Sequence, residues 1–364
     1  MKLFRQRNAN AFQEFIMEAR MWWGLALFPA LADEYRARRE AAERAGRPVR
    51  TVSDVAALLD SSTLYRWFCF LERHIQKAKY SSSRWGLVAQ WLREDDRLAE
   101  RLAPGAGRAT LDPALQVPEY YERFDIHQHP GNLHGAANAG VVYEASALSI
   151  HPNTKRNELH ERFVEVVRAK AGSLQRILDM GCGFGKSTTP LARAFPNAAV
   201  VGVDVSAPCL RLAAADAVRA GLENIEWRQA DLRHTALESA SFDLVTSTMV
   251  LHELPPEEVS ASLRETHRLL APGGVSIHLD FRTSDPFWQF IMYGHGTRNN
   301  EPYLEPLIRM DLPTAYREAG FDTVSIEPFA EREGAADADY PYWRLPWVAV
   351  IARKATNGRT HATR

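Results

Sequence analysis

Three aspartates stand at the ends of short apolar runs in the second half of the chain: Asp179, Asp204 and Asp231. A carboxylate at such a position can accept hydrogen bonds from hydroxyl and amino groups, or lie beside a cationic group of a ligand. In open sheets of parallel strands, ligands bind at the carboxyl ends of the strands. If the runs are strands of one sheet, the three side chains are therefore expected to serve one binding site.

The first aspartate precedes a glycine-rich turn with the spacing GxGxG, formed by Gly181, Gly183 and Gly185. Glycine is needed where the backbone turns sharply and approaches a ligand closely. Dinucleotide-binding enzymes use a comparable turn with the spacing GxGxxG, and place a pyrophosphate there. Asp179 suits a cationic amino-acid group better than a pyrophosphate. The segment therefore favours S-adenosylmethionine over NAD, and predicts a helix that starts near Lys186–Ser187.

The other two aspartates predict contacts with a nucleoside. Asp204 lies about 20 residues beyond the glycine turn, where an acidic side chain can accept hydrogen bonds from both ribose hydroxyls. Ser206 can cap the next helix, which leaves Asp204 available for the ribose. Asp231 could accept a hydrogen bond from the adenine amino group while Leu232 packs on the ring. Alternatively, Asp231 is the aspartate of an ordinary turn.

Seven short apolar runs after residue 171 predict the sheet that positions these residues. They are Arg176–Met180, Ala199–Val205, Ile225–Gln229, Phe242–Ser247, Val275–Asp280, Thr323–Pro328 and Trp347–Ala352. Segments long enough for crossover helices separate the first five runs, an alternation typical of a mostly parallel sheet wrapped by helices. Only an irregular stretch separates the last two runs, which predicts a terminal antiparallel pair.

The first hundred residues show helical periodicity instead. Apolar residues recur at helical spacing from about residue 10 to residue 102, and Ser53 is a candidate N-cap for a helix that runs past Ile75. A third helix is expected to carry Trp85 and Leu92. A linker rich in proline and glycine follows. We therefore expect three regions: a helical extension (1–118), a ligand-binding domain (119–355) and a disordered tail (356–364).

Charge and cysteine content exclude several functional classes. Lysine and arginine total 44 against 45 acidic residues, so no net field attracts nucleic acid or an anionic membrane. The three cysteines are scattered and indicate neither a disulfide framework nor a zinc knuckle. The apolar run Met21–Leu31 is about half of the roughly 20 residues that span a bilayer. A cytoplasmic protein that binds neither nucleic acid nor membrane is expected.

The segments LDMGCGFG, GVDVS, QADL, FDLVTSTMVLHEL and LLAPGG occur in this order between residues 178 and 274. Together they resemble the motifs of class I S-adenosylmethionine-dependent methyltransferases, in particular the small-molecule group that includes ubiquinone and menaquinone biosynthesis enzymes. The resemblance implies an α/β fold with a Rossmann-like, seven-stranded sheet, here with an added N-terminal helical extension. It implies a cofactor site made of Asp179, Met180, Gly181, Cys182, Gly183, Asp204, Val205, Asp231, Leu232 and Thr248.

Two residues after the fourth run are candidates for catalysis. Methyl transfer from a sulfonium requires alignment of acceptor and methyl, exclusion of water and sometimes removal of a proton. His252 is the first candidate for a general base because the pKa of histidine lies near neutrality. Glu253 could point into the site instead. Alternatively, His252 caps a helix or packs structurally.

Residues that could line an acceptor site occur in two further segments. The stretches DIHQHPGN (125–132) and NNEP (299–302) look like segments of uncharacterised bacterial methyltransferases. Acceptor-site candidates are His127, His129, Tyr143, Asp280, Arg282, His295, Asn299 and Glu301. The spacing of His127, His129 and His134 fits no closed zinc pattern, so no metal is expected.

The sequence therefore predicts an enzyme, a methyltransferase that acts on oxygen, nitrogen or carbon of a small, aromatic or otherwise apolar metabolite. Two alternatives keep the cofactor. The sulfonium charge could assist a cyclisation or rearrangement, or the chain could be a non-catalytic cofactor-binding scaffold. The N-terminal helices could form a lid over the acceptor or the interface of a homodimer.

Overall fold

A computed structural model describes residues 2–81, 85–91, 95–147, 158–337 and 340–356. Leu92 of the predicted third helix and residues 357–364 of the predicted tail lie outside these ranges. The described part of the first hundred residues is helical, as predicted. Its α-helices are α1 (Lys2–Trp22), α2 (Phe28–Arg44), α3 (Val52–Leu59), α4 (Thr63–Tyr80), α5 (Leu87–Trp91) and α6 (Asp95–Leu102).

The helix that was predicted to start at Ser53 is two helices with different caps. Thr51 caps α3 in a capping box: its side chain accepts from the Asp54 backbone N–H, and the Asp54 carboxylate accepts from the Thr51 N–H. Ser62 then caps α4 by accepting from the Tyr65 N–H at 3.0 Å. The prediction of Ser53 as N-cap was therefore wrong by two residues. Threonine and serine both suit an N-cap, and only the reciprocal hydrogen bonds with Asp54 identify Thr51 as the cap.

We expect Thr51→Ala to lower the free energy of unfolding by about 1 kcal/mol, because the capping hydrogen bond is lost. Ser53→Ala is the matched control: Ser53 is exposed within the first turn of α3 and should change stability by less than about 0.5 kcal/mol. Urea unfolding followed by circular dichroism measures both values. Equal losses in the two variants would contradict the assignment of the cap.

A mixed segment connects the helices to the sheet. It contains a two-residue strand and three short helices: β1 (Ala109–Thr110), α7 (Glu119–Glu122), α8 (Ala139–Ala147) and α9 (Glu158–Ala171). Between α7 and α8, a single 3-10 turn spans Ile126–Gln128. His127 and Gln128 have positive φ angles of 55° and 58° there, so the chain reverses sharply and presents His127 to the sheet edge.

The remaining chain alternates strands and helices. The elements are β2 (Arg176–Met180), α10 (Thr188–Ala194), β3 (Ala199–Asp204), α11 (Ala207–Arg219), β4 (Ile225–Gln229), β5 (Phe242–Thr248), α12 (Pro256–Leu269), β6 (Leu270–Phe281), α13 (Pro286–Asn299), α14 (Leu304–Arg309), α15 (Leu312–Glu318), β7 (Thr323–Pro328) and β8 (Trp347–Arg353). The strand order is β1-β4-β3-β2-β5-β6-β8-β7. Strands β1 to β6 pair in parallel, and β8 is antiparallel to both neighbours.

The predicted α/β sheet and its terminal antiparallel pair are confirmed, with two differences. The sheet has an eighth strand, because β1 extends the edge beside β4. Its two residues belong to the segment predicted as a linker, whose sequence carries no strand pattern. In addition, the segment 230–241 between β4 and β5 contains no helix, although its length had suggested one.

One hydrophobic cluster joins the N-terminal helices to the sheet. It extends from Trp23 and Phe68, whose rings stack at 4.4 Å, to Ile177 and Leu279 in the strands. The Trp23 indole N–H donates to the Phe68 carbonyl at 2.9 Å, which satisfies its one polar group. The helices of the first hundred residues therefore form a wall fixed against the sheet. None of the described helices is long and apolar enough to cross a bilayer.

Candidate functional site

A cavity of about 1060 Å³, partly open to solvent, lies at the carboxyl ends of the central strands. Seven of the ten predicted cofactor-site residues line it: Gly181, Cys182, Gly183, Asp204, Val205, Leu232 and Thr248. This is the position at which ligands bind in open parallel sheets. We refer to it as the cofactor cavity.

The glycine turn is shaped by backbone angles and close neighbours. Gly181 and Gly185 have φ angles of +68° and +83°, which other residues rarely adopt. A Cβ on Gly181 would lie 2.6 Å from a methyl group of Val250, and one on Gly185 would lie 2.6 Å from the Trp227 ring. The turn therefore brings bare backbone to the floor of the cavity, and α10 follows it at Thr188, close to the predicted start.

Asp204 connects the glycine turn to the next helix. Its two carboxylate oxygens accept from the backbone N–H groups of Gly183 and Ser206, both at 2.8 Å. Burial raises its pKa. Ser206 caps α11 by accepting from the Cys209 N–H at 3.2 Å, as predicted. Asp204 lines the cavity, and each carboxylate oxygen retains a lone pair for a ligand hydroxyl.

Thr248 offers a second polar group to the cavity. Its hydroxyl is buried at the end of β5 and makes no hydrogen bond with the described residues. A buried hydroxyl without a partner is unfavourable, and a ligand in the cavity could supply that partner.

The other three predicted cofactor residues are not among those that line the cavity. Asp179 is completely buried, and one of its oxygens accepts from the hydroxyls of Ser187 and Thr188, both at 2.6 Å. Burial raises its pKa to about 6. One Asp179 oxygen thus supports the first turn of α10, whereas the other has no hydrogen-bond partner among the described residues, so the predicted contact with the ligand stays a prediction.

Met180 and Asp231 are not among the residues that line the cavity, for different reasons. The side chain of Met180 alternates to the opposite face of β2, where its sulfur accepts from the Thr266 hydroxyl at 3.5 Å. Asp231 pairs with Arg233, whose Nε lies 2.9 Å from one carboxylate oxygen. Arg233 also donates to Glu258 at 2.8 Å, so the Asp231 side chain belongs to a surface charge network.

A second cavity of about 750 Å³ adjoins the first and shares Tyr143 and Met249 with it. Of the predicted catalytic and acceptor residues, His127, Tyr143, His252, His295, Asn299 and Glu301 line this second cavity. Glu253 lines the cofactor cavity instead. We refer to the second space as the acceptor cavity.

His252 forms a buried pair with Asp280. Its Nδ1 lies 2.8 Å from an Asp280 carboxylate oxygen, and the other Asp280 oxygen accepts from the Leu251 N–H at 2.8 Å. Burial lowers the pKa of His252, but the carboxylates of Asp280, Glu253 and Glu301 together outweigh burial and raise that pKa to about 9. The pKa near neutrality assumed from sequence was therefore wrong. Asp280, predicted to line the acceptor site, lies behind His252 and orients it.

His127 bridges two carboxylates between the cavities. Its Nε2 lies 3.0 Å from Glu253 and its Nδ1 lies 2.9 Å from Glu301. Although burial favours the neutral ring, the two carboxylates raise the pKa of His127 to about 10. Its ring is parallel to that of Tyr143 with centroids 6.2 Å apart. His127 is therefore an imidazolium that holds both glutamates in place.

His129 does not belong to either cavity. It is buried beside Tyr80, with ring centroids 5.0 Å apart. Burial lowers its pKa to about 4, so it is neutral. No group of three or more potential ligands that could hold a metal ion occurs among the described residues.

Several residues of the acceptor cavity were not predicted, and most come from the N-terminal helices. They are Arg20, Ile75, Gln76, Lys79, Tyr80, Trp343 and Leu345. Glu72 lies behind them, completely buried, and its carboxylate pairs with His295 and Arg298. A signal was present in α4: the apolar stripe through Phe68 and Ile75 includes Glu72 and Lys79 at helical spacing. Charges on a buried stripe indicate a polar site.

Comparison with known proteins agrees with this geometry. A family model described as a methyltransferase domain matches residues 177–274. The chain is 44% identical over 99 residues to trans-aconitate 2-methyltransferase of Azoarcus sp., which is 27% of this chain and 36% of that protein. It is 30% identical over 158 residues to an uncharacterized methyltransferase of Synechocystis sp., covering 43% of this chain and 71% of the relative.

Two further methyltransferases are similar to this chain over half of its length or more. Demethylmenaquinone methyltransferase of Lactiplantibacillus plantarum is 28% identical over 203 residues, 50% of this chain and 84% of that protein. Among solved structures, Haemonchus contortus phosphoethanolamine N-methyltransferase 2 in complex with S-adenosylmethionine matches with a TM-score of 0.45 and 17% identity, over 66% of this chain and 60% of that one. In its C-terminal part, the chain belongs to the class I S-adenosylmethionine-dependent methyltransferases.

Proposed function

We propose that this protein transfers the methyl group of S-adenosylmethionine to a small molecule bound in the acceptor cavity. The observation that carries the proposal is the direct contact between the two cavities, which share Tyr143 and Met249. A methyl acceptor must approach the sulfonium in line, so donor and acceptor sites have to adjoin.

The residues of the cofactor cavity fit S-adenosylmethionine. Asp204 would hold the ribose hydroxyls, and Leu232 would pack on the adenine ring. The unpartnered Thr248 hydroxyl and the bare backbone of the glycine turn would meet the methionine end. The cofactor supplies an activated methyl group, whereas the protein supplies position and an environment without bulk water.

His252 is proposed as the residue that accepts a proton from the acceptor. It lines the acceptor cavity, Asp280 holds its Nδ1, and its Nε2, which lies 3.6 Å from a Glu253 oxygen, is the nitrogen that would take up the proton. Asp280 is a positioning residue in this proposal, because it acts on substrate only through the histidine. Glu253, held by His127, closes the boundary between the cavities.

The acceptor is proposed to be a small molecule because the N-terminal helices wall off the acceptor cavity. Arg20, Lys79 and Tyr80 belong to α1 and α4 and form that wall. This favours the lid role predicted for the extension. The relatives named for trans-aconitate and demethylmenaquinone also act, by their names, on small molecules. The predicted homodimer stays a prediction.

The test is turnover of S-adenosylmethionine with a panel of carboxylic acids, phenols and amines, measured as S-adenosylhomocysteine released and as mass gained by the acceptor. We expect release that depends on one class of acceptor. Conversion of an acceptor without release of S-adenosylhomocysteine would contradict methyl transfer and support the cyclisation or rearrangement alternative. Binding of the cofactor without turnover across every class would support the scaffold alternative.

A further inference from the structure

Lys79 is a buried lysine that has no ion-pair partner among the described residues. Its side chain belongs to α4, is 3% exposed and lines the acceptor cavity. No carboxylate of the described residues lies within 4 Å of its ammonium group, and no described residue accepts a hydrogen bond from it. The near group is the Tyr80 ring, 4.8 Å from Nζ. Lysine is almost never buried unless it is paired.

Arg20 lies in the same cavity, is partly buried and forms no ion pair within 4 Å among the described residues, although Glu72 and Glu301 attract it from farther away. Its guanidinium stacks on Trp23, 4.1 Å from the ring centroid, and lies 5.1 Å from that of Trp343. These aromatic contacts fix the plane of the guanidinium, but they accept none of its N–H groups. Among the described side chains, none forms an ion pair or a hydrogen bond with Arg20. The aromatic rings therefore orient a cation whose donors remain available.

The carboxylates of the neighbourhood are held by other side chains. Glu72 pairs with His295 and Arg298, and Glu301 pairs with His127. Glu253 also pairs with His127, and Asp280 pairs with His252. Each of these carboxylates therefore has a partner within 4 Å, although Glu253 and Glu301 share His127, and none of them forms an ion pair with Arg20 or Lys79.

The lack of a close polar partner is unfavourable for the buried Lys79. Burial, and secondarily the charge of Arg20, lower the pKa of Lys79 to about 7. Lys79 loses hydration that no ion pair or hydrogen bond among the described residues replaces, and the charge of Arg20 repels it. An anion in the cavity would accept hydrogen bonds from both side chains. Its negative charge would attract the two cations, which otherwise repel each other.

We infer that Arg20 and Lys79 form a carboxylate-binding subsite, and that the methyl acceptor is an organic acid whose anionic group they hold. The part of this inference that rests on the proposed function is the identification of the bound acid as the methyl acceptor. Tyr80, Trp343 and Phe281 also line the cavity, so the body of the acid is apolar or aromatic. The planar fork of Arg20 suits a carboxylate, which it can bind through two parallel hydrogen bonds.

The test uses benzoate as the probe and benzamide as its neutral counterpart, titrated by calorimetry into the full chain saturated with S-adenosylhomocysteine. Benzoate is expected to bind at least tenfold more tightly than benzamide. Lys79→Gln and Arg20→Gln are each expected to weaken benzoate binding at least tenfold. Either variant tests the subsite by itself, and thermal melting identifies one that fails to fold.

Lys77→Gln is the matched control, because Lys77 is an exposed lysine of the same helix two residues earlier. It should leave benzoate affinity unchanged. Equal affinity for benzoate and benzamide, or an equal loss in Lys77→Gln and Lys79→Gln, would overturn the subsite. Titration with S-adenosylhomocysteine alone tests the proposed function separately, because all three variants should bind it as the unmodified protein does.

Discussion

His252→Ala is expected to lower kcat at least about 100-fold while leaving the affinity for S-adenosylmethionine unchanged, since proton transfer by a positioned side chain contributes about that much or more. The histidine lines the acceptor cavity, whereas the residues proposed to hold the cofactor line the other cavity. His252→Gln is a second variant that can still donate to Asp280 but cannot take up a proton. His267→Ala, outside both cavities, is the control and should keep full activity.

The pH dependence of kcat/KM separates a base from a structural histidine. The pKa of His252 is raised from 6.5 to about 9, so below pH 9 most molecules carry the protonated form, which cannot accept a proton. kcat/KM should therefore rise about tenfold per pH unit up to about pH 9 and then level off. Asp280→Asn removes the carboxylate that raises this pKa, so the inflection should move towards pH 6.5. Full activity of His252→Ala, or a kcat/KM–pH profile whose inflection Asp280→Asn does not move, would show that His252 is structural and is not the base.

Asp204→Ala is expected to weaken S-adenosylmethionine binding at least tenfold, which corresponds to a loss of about 1.4 kcal/mol or more. The reason is the loss of the acceptor for the ribose hydroxyls, together with the loss of two hydrogen bonds that hold the glycine turn and the start of α11. Calorimetric titration measures the affinity, and urea unfolding measures the stability of each variant.

Asp243→Ala is the matched control for this experiment. Asp243 also accepts from two backbone N–H groups, those of Gln175 and Arg176, but at the amino end of β2. Both alanine variants should lose stability by about 1–3 kcal/mol, while only Asp204→Ala should lose affinity. An affinity that falls equally in both variants would mean that general destabilisation, and no ribose contact, explains the result.

The sheet was predictable because its strands are short, apolar and separated by clear turn residues. The predicted bounds of β2, β4 and β7 agree with the structure residue for residue. The glycine turn was predictable for a related reason: only glycine combines positive φ with the close approach of Val250 and Trp227. Both features depend on local backbone geometry, which sequence patterns report directly.

The roles of individual side chains depend on contacts between distant segments, and several of these escaped prediction. Arg233 pairs with Asp231, which is not among the residues that line the cofactor cavity. Asp280 raises the pKa of His252. Lys79 and Arg20 reach the acceptor cavity only because α1 and α4 pack on the sheet, more than a hundred positions away in sequence. The charged residues on the buried stripe of α4 indicate a polar site, but no sequence pattern shows against which strands α1 and α4 pack.

Calorimetric titration of the purified protein with S-adenosylmethionine, S-adenosylhomocysteine and NAD tests the central claim most directly. The residues that line the cofactor cavity predict micromolar binding of the first two ligands with one site per chain, and no binding of NAD. Binding of NAD, or the absence of binding for both sulfur-containing ligands, would contradict the account, because the Asp204 carboxylate and the glycine turn would then serve a different ligand or none.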